Sequence, residues 1–302
     1  MILIIGSEQE THSKYVFEKI NKQGIPVRYF DSRKYPENLQ IGFSPNTNDG
    51  FFIIDNEKIF LKDIQGVYWR WFYGVPMENT GDNFSNRMVL RERTSALNSM
   101  FKCMSETNWL NCYDAIEMHK IKTYQLNLMA KNNIRIPKTI ITNNSDELID
   151  FYEKNNKKVI YKPVLGGAMT KQLTDDDLNA EKLSTLKTSP VQLQEFVEGI
   201  DIRVFVMGKD IYPAEIKAKT IDFRADDKHT ITPVELPDNV NEDCLKALKL
   251  LQLGYSGIDI RKSNDGEYVF IEANPAPMFI HFENVTKYPI SQKLIELLTK
   301  QN

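Results

Sequence analysis

The stretch "YVFIEANPAPMF", residues Tyr268 to Phe279, closes an apolar run with a carboxylate, an amide and two prolines. Side chains along a strand alternate with period two, so Glu272 and Asn274 project to one face. Upstream, "GIDI" reads as an antiparallel partner strand carrying Asp259, with Ser263–Gly266 as the turn between them. Two carboxylates and an amide oxygen are hard ligands suited to Mg²⁺, which usually keeps waters or phosphate oxygens as its other ligands. No histidine or cysteine stands beside them, which argues against zinc. The same residues also fit an acidic surface hairpin. Pro275 and Pro277 cannot donate to a ladder, so the chain is expected to leave the sheet after Asn274.

Working outward, Lys162 ends an apolar strand, Val159–Pro163, and is followed by Gly166-Gly167. An ammonium there can face phosphate oxygens, and the glycines let backbone N–H groups approach the same anion. The Walker pattern GxxxxGK[ST] is absent. A solvated lysine beside a turn is the alternative. In "VQLQEFVEGIDIR" the segment Gln194, Glu195, Phe196, Val197 can serve as a linker whose backbone pairs with an adenine edge while Phe196 packs on the ring. Asp201 could then accept ribose hydroxyls or hold a neighbouring cation. An exposed charged loop would look the same. "KAKTIDFRADDKH" adds Lys217, Lys219 and Arg224, the last with a rigid fork for phosphate oxygens, or else forms a solvated basic loop. The four histidines, His12, His119, His229 and His281, lack ligand spacing and read as background, with His229 and His281 the nearer to a substrate.

The remaining pattern supplies a scaffold. Ile2–Ile5, Thr11–Gln23 and Pro26–Phe30 read as strand, helix and strand, a parallel α/β start. Phe51–Ile54 and Glu57–Leu61 read as a hairpin, Val67–Phe72 and Trp109–Asn111 as strands, and Asn86–Glu106 as a long helix. Met118–Asn132 and Thr286–Lys300 each read as one helix, and Ser145 as the cap of another. The length suggests two or three substructures, and 302 residues with 41% apolar and 26% charged side chains is ordinary for a globular protein. A net charge of −3 gives no bias towards nucleic acid or anionic membrane. No apolar run approaches the ~20 residues needed to span a bilayer. Cys103, Cys112 and Cys244 show no CxxC spacing, so a reducing, cytoplasmic setting is expected.

The order of these features resembles the ATP-grasp superfamily and, within it, the RimK-like ligases. "KTYQLNLMAKNNIRIPKTIITN" is similar to the helix carrying the first ATP lysine, here Lys122, with Lys120 as the rival. "YKPVLGG", "LQEFVEGIDIR", "IDFR" and "DI…EYVFIEANP" are similar to the second-lysine strand, the adenine hinge, the arginine motif and the paired metal strands. "YFDSRKYPEN" and "VYWRWFYG" look like the opening domain of microviridin (graspetide) peptide macrocyclases. Asp201-Ile202-Arg203 and Asp222-Phe223-Arg224 resemble the DxR and DWR-like triplets of those enzymes. Two places depart from the pattern: the tail Pro275–Phe279, where an N-P-N-G-Q-W type is usual, and an arginine pair only partly kept as Arg70-Trp71.

The resemblance implies an α/β (α+β) ATP-grasp fold: a parallel α/β domain over 1–115, then α+β subdomains over 116–190 and 191–302 that sandwich ATP. It implies a ligase that phosphorylates a Glu or Asp side chain of a ribosomal precursor peptide and closes an ester or amide ring, releasing ADP and phosphate. The cofactors would be ATP and two Mg²⁺ ions on Asp259, Glu272 and Asn274. Lys122 and Lys162 would bind the α- and β-phosphates and Arg224 the γ-phosphate. Arg203, Arg70, Met278 and Phe279 would meet the substrate. The partner would be a precursor with a leader segment, and the enzyme a homodimer. The alternative is a ligase of the RimK or glutathione-synthetase kind that adds an amino acid. A catalytically dead binding module is disfavoured, because Lys162, Arg224, Asp259, Glu272 and Asn274 are all present.

Overall fold

A computed structural model describes residues 1–77, 81–104, 107–165, 169–218 and 228–300, and structural statements concern those residues. Gly166-Gly167, Lys219 and the Asp222-Phe223-Arg224 triplet lie outside them.

The chain opens with β1 (Ile2–Ile5), α1 (Thr11–Lys22) and β2 (Val27–Phe30). Next come β3 (Leu39–Ser44), β4 (Asp49–Ile54), β5 (Glu57–Phe60) and β6 (Gly66–Trp69). Helix α2 (Asn83–Cys103) then leads to β7 (Asn108–Leu110). One sheet has the order β2-β1-β6-β7, with every pair parallel. The unbroken apolar run of β1 follows from this, since a parallel strand is covered on both faces, and Ile2 to Ile5 are wholly buried. β3, β4 and β5 form a separate antiparallel sheet. The sequence expectations omit β3, although Leu39, Ile41 and Phe43 alternate as a half-buried strand should.

The second half begins with α3 (Tyr113–His119), α4 (Lys122–Lys131), β8 (Thr139–Thr142), α5 (Ser145–Lys154), β9 (Val159–Pro163) and β10 (Lys171–Gln172). Then follow α6 (Ala180–Leu186), β11 (Val191–Glu195), β12 (Gly199–Met207), β13 (Asp210–Lys217) and β14 (Thr230–Pro233). The chain ends with α7 (Asp238–Leu250), β15 (Tyr255–Ser263), β16 (Tyr268–Asn274), α8 (Ile280–Thr286) and α9 (Ile290–Thr299). Two antiparallel sheets result, ordered β10-β9-β11-β8 and β14-β13-β12-β15-β16. Mixed parallel and antiparallel sheets make this the expected α/β (α+β) class.

Three boundaries differ from expectation, each for a physical reason. The single helix expected over Met118–Asn132 is broken at Ile121, whose φ and ψ of −100° and 72° are not helical. Ile116 of α3 joins the core under β1 and β6, while Ala115 of α3 packs with Leu126 and Met129 of α4 in the core under β12 and β15. The closing helix is likewise two. Pro289 disfavours the helical conformation at Tyr288, and Lys287 adopts φ 64° to end α8. Asn144, not Ser145, caps α5: its Oδ1 accepts from Asp146 N at 2.8 Å.

A core shared between the two halves joins Ile2, Ile4 and Tyr68 to Phe205, Tyr255, Leu294 and Leu298. Phe279 belongs to it and is wholly buried, edge-on to His12 and Phe205. The expectation that Phe279 lines a substrate is therefore corrected: an apolar ring at the start of α8 anchors that helix between the halves.

Arg70 lies in the same region. It is 5% exposed, pairs with Glu10 at 3.1 Å and donates from Nη1 to the Ala276 carbonyl at 2.6 Å. The guanidinium holds the tail after β16 to the first domain. Burial alone would push the Glu10 carboxyl up, but Arg70 and the Ser13 N–H outweigh it and hold the carboxyl below its usual value. Removing one partner of a buried pair costs about 3–5 kcal/mol. Arg70→Met should lower the melting temperature by several degrees. Glu10→Gln should do so at neutral pH. Because the folded pKa is depressed, the wild-type advantage is full above the ordinary carboxyl value of 4.5. It should fade as pH falls through the folded value. Melting curves of both proteins from pH 7 to pH 3 test this, and a pH-independent difference would refute the ion pair's role.

Candidate active site

Strands β15 and β16 are antiparallel, with Asp259 directly opposite Glu272 and Gly257 opposite Asn274. Opposed residues share a face, and so do residues two apart on one strand. Asp259, Glu272 and Asn274 are thus brought together, as their spacing suggests. A register shift between Asp259 and Ile260 pairs Ile260 with Phe270 and leaves Ile271 as an extra residue. Such bulges bend a strand and re-aim its side chains.

Cations converge on the two carboxylates. Lys122, the first residue of α4, donates from Nζ to Glu272 Oε1 at 2.9 Å. Lys120 turns instead to exposed Glu117, at 2.5 Å. Of the two rival lysines, Lys122 is the one at the acidic face. Arg203 is the cross-strand partner of Asp259, and its Nε lies 2.8 Å from Asp259 Oδ1. Burial pushes the Glu272 carboxyl up, but Lys122 first, then His119 and Lys162, outweigh it and hold the group below its usual value. The carboxylate is therefore ionised at neutral pH.

His119 is a residue that sequence reasoning missed. Its Nε2 lies 3.7 Å from Glu272 Oε1, and its Nδ1 is buried. Burial pushes the imidazole below its usual value against the pull of Glu272. No spacing motif marks it, because the turn between α3 and α4 brings it there.

The backbone around Asn274 is held by side chains from elsewhere. Gln125 of α4 is buried, donating to the Ala273 carbonyl at 3.0 Å and accepting from Ala273 N at 2.9 Å. It stands in for a neighbouring strand at the open edge of β16, one helical turn from Lys122. Ser256 donates to the Asn274 carbonyl at 2.9 Å. Asn111 donates to the Pro275 carbonyl at 2.6 Å. Asn274 Oδ1 accepts from Ala276 N at 3.0 Å, and an amide oxygen keeps a second lone pair. Met278 is 70% exposed beside this tail. Among the described residues no three His, Cys, Asp or Glu side chains form a metal cluster. Two carboxylates and one amide oxygen suit a magnesium ion that completes its shell with phosphate and water.

The second sheet supplies the other wall. Glu195 Oε1 accepts from Lys138 N at 2.9 Å, and Phe196 N donates to the Lys158 carbonyl at 2.8 Å. Gln194 is buried and its amide donates to Thr139 Oγ1 at 3.0 Å. Asp201 faces Arg261 across the ladder and pairs with its Nη1 at 2.6 Å. Arg261 Nε donates to the Val197 carbonyl at 2.9 Å, and its guanidinium lies 5.7 Å from the Phe196 ring centre. Asp201 thus holds a cation, the second of its two expected roles. Arg261 was not singled out from the sequence, where an arginine on an alternating strand carries no signal.

Replacing Gln125 by leucine leaves the Ala273 N–H and C=O without partners. Each unpaired buried group costs about 1–3 kcal/mol. Gln125→Leu should lower the melting temperature and speed amide exchange at Ala273 while leaving the exchange of β1 unchanged. Unaltered exchange at Ala273 would refute the clamp.

With this geometry in hand, residues 118–298 match the RimK-like ATP-grasp domain and residues 1–117 the MvdD pre-ATP grasp domain. The alpha-aminoadipate–LysW ligase LysX of Sulfolobus acidocaldarius is 27% identical over 260 residues, 77% of this chain and 90% of that protein. The ATP-grasp ligase PsnB complexed with a minimal precursor superposes with a TM-score of 0.86 at 29% identity, covering 98% of this chain and 97% of that one. A RiPP-associated ATP-grasp ligase of Chryseobacterium gregarium, in complex with ADP and a leader and core peptide, gives 0.85 at 27% identity over 98% and 96% of the two chains. Since the first match spans more than half of the sequence, the chain belongs to the RimK-like ATP-grasp ligases, with an MvdD-type domain in front.

Proposed function

We propose that the protein is an ADP-forming ligase that activates a Glu or Asp side chain of a ribosomally made precursor peptide and closes an ω-ester or ω-amide ring. One observation carries this reading. The likeness to ligases solved with precursor peptides spans both halves of the chain, the opening domain included. ATP is the phosphoryl donor. Another PsnB complex holds precursor, Mg and ADP, at 27% identity and a TM-score of 0.83.

The proposed chemistry has two steps. A substrate carboxylate oxygen bonds to the γ-phosphorus and ADP leaves. A Thr or Ser hydroxyl, or a Lys amine, then attacks the acyl carbon and phosphate leaves. Phosphoryl transfer rests on positioning and charge neutralisation. We assign Lys122 and Lys162 to the phosphates, and Arg224 to the γ-phosphate on sequence grounds alone. Asp259, Glu272 and Asn274 would hold Mg²⁺, which when bound neutralises the phosphate oxygens. Lys122 and Arg203 occupy that role towards the carboxylates now, so they keep an acidic face folded until a cation takes their place. Glu195–Val197 take the adenine, with Asp201 fixing Arg261 against Phe196 and the Val197 carbonyl. Arg203 takes the acceptor side, and exposed Met278 lines it. Cys103, Cys112 and Cys244 are free thiols, which fits a reducing, cytoplasmic setting. No helix among the described residues is long and apolar enough to cross a membrane.

A second reading, addition of an amino acid to a peptide or small molecule, draws on the likeness to the LysW ligase. Mass separates the two. Incubation with ATP, Mg²⁺ and a Thr- and Glu/Asp-containing precursor should remove one water per ring, whereas ligation adds a residue. Asp259→Asn and Glu272→Gln should each abolish ADP release in that mixture while the melting temperature is retained. Chelation of Mg²⁺ should do the same reversibly. Normal ADP release by either variant would sink the metal assignment. Arg203→Ala should cost ring formation more than ADP affinity, and an equal loss in both would move Arg203 into the nucleotide site.

A further inference from the structure

Leu97, Met100 and Phe101 anchor the second half of α2 in the core under β1 and β6, whereas its first half buries only Asn86. Phe84, Arg87, Met88 and Arg91 stand at i, i+3, i+4 and i+7, so they share one face. At about 100° per residue, Asn86 and Leu97 lie on the opposite one. Phe84 is 64% exposed, and Met88 and both arginines are exposed beside it. This is not an ordinary solvated face. Phe84 and Met88 are neighbours on it rather than scattered single residues. Among the described residues neither Arg87 nor Arg91 has an ion-pair partner. Like charges four apart on a helix repel and weaken it, so the fold gains nothing from that pair.

The stripe is within one peptide length of the acceptor side. The connection from β6 to α2 starts at Arg70, which holds the Ala276 carbonyl, and it exposes Trp71 and Met77 on its way. Pro76 is fixed to α2, its carbonyl accepting from Arg93 Nη1 at 3.1 Å. At ~3.5 Å per residue Arg70 and Pro76 are at most ~20 Å apart. Arg93 and Arg87 are ~9 Å apart along the helix axis.

Charge decides the occupant. α2 holds Arg87, Arg91, Arg93 and Lys102 against Glu92, so a second copy would set two cationic helices face to face. A membrane-surface helix puts its cations opposite its apolar residues, whereas here they alternate in one stripe. A peptide whose carboxylates meet the two guanidinium forks, while its apolar side chains pack on Phe84 and Met88, satisfies both. The ligase reading supplies such a peptide, because its substrate must carry Glu or Asp.

We propose that the exposed stripe of α2 is a docking face for an acidic, apolar-bearing segment of the precursor peptide, outside the residues that form rings. The inference rests on the peptide-ligase reading above and adds a surface away from the nucleotide site.

Fluorescence anisotropy tests it, with a short labelled peptide of Glu, Leu, Thr and Gly and a counterpart carrying Gln for every Glu. The proteins are wild type, Arg87→Gln/Arg91→Gln and Phe84→Ser/Met88→Ser. Wild type should bind the Glu peptide about tenfold or more tightly than the Gln peptide, and less so as salt is raised. The arginine variant should bind the two peptides alike, and the Phe84→Ser/Met88→Ser variant should lose about tenfold for the Glu peptide. The arginine variant should melt at or above the wild-type temperature, since a repulsive pair is gone. Equal binding of the two peptides by wild type, no binding of either, or an unchanged preference in the arginine variant would overturn the proposal. So would a lower melting temperature of that variant, by showing that the arginines serve the fold. Self-association of wild type in sedimentation, or binding to phosphatidylserine vesicles, that the arginine variant abolishes would reassign the face and overturn it too. ADP titration of the same samples separates the two readings: wild type that binds the Glu peptide but not ADP would remove the nucleotide reading while the docking face stands.

Discussion

The carbonyls of Asn274, Pro275 and Ala276 are each held by a side chain from a different place in the chain: Ser256, Asn111 and Arg70. The constraint behind this is elementary. Two prolines end the ladder, and buried carbonyls must still be paired. The first pairing joins the two acidic strands to each other, and the other two tie them to the segment after β7 and the segment after β6. Gln125 does the same for Ala273 through α4. The placement of Glu272 and Asn274 therefore depends on contacts that reach into the first domain, although neither touches it through its own side chain.

Electrostatics follow from that framework. α4 is fixed to the edge of β16 by Gln125, and Lys122 on the same helix is thereby delivered to Glu272. Arg203 reaches Asp259 by register alone. The Glu272 carboxylate remains ionised because cations accompany its burial; buried alone, it would be driven towards the neutral form. The acidic face is thus kept paired within the folded chain.

Much of this was legible. The period-two placement of Glu272 and Asn274, their pairing with Asp259, and the strand ending in Lys162 all came from alternation and turn residues, and those signals are local. Phe279 was misread, and the Ala276 carbonyl held by Arg70 was not foreseen. An exposed substrate-facing aromatic and a buried anchoring one are written with the same letter, and a guanidinium can meet a backbone carbonyl as well as a substrate carboxylate. His119 and Arg261 were passed over for the same reason, since their partners lie far along the chain. The broken helix at Ile121 shows the limit again, since no proline or glycine marks the break in the sequence.

By itself the sequence determined the elements and the chemistry available. It set which residues alternate on which strand, where prolines forbid a ladder, and that the ligand set is oxygen-rich. These are properties of neighbours, governed by backbone geometry at short range. Only the tertiary structure decided which lysine of two meets Glu272, that Asp201 holds Arg261, and that Phe279 is core. Each of those depends on what packs opposite a side chain. Burial and pairing are set by residues far away in sequence, and no local pattern encodes them.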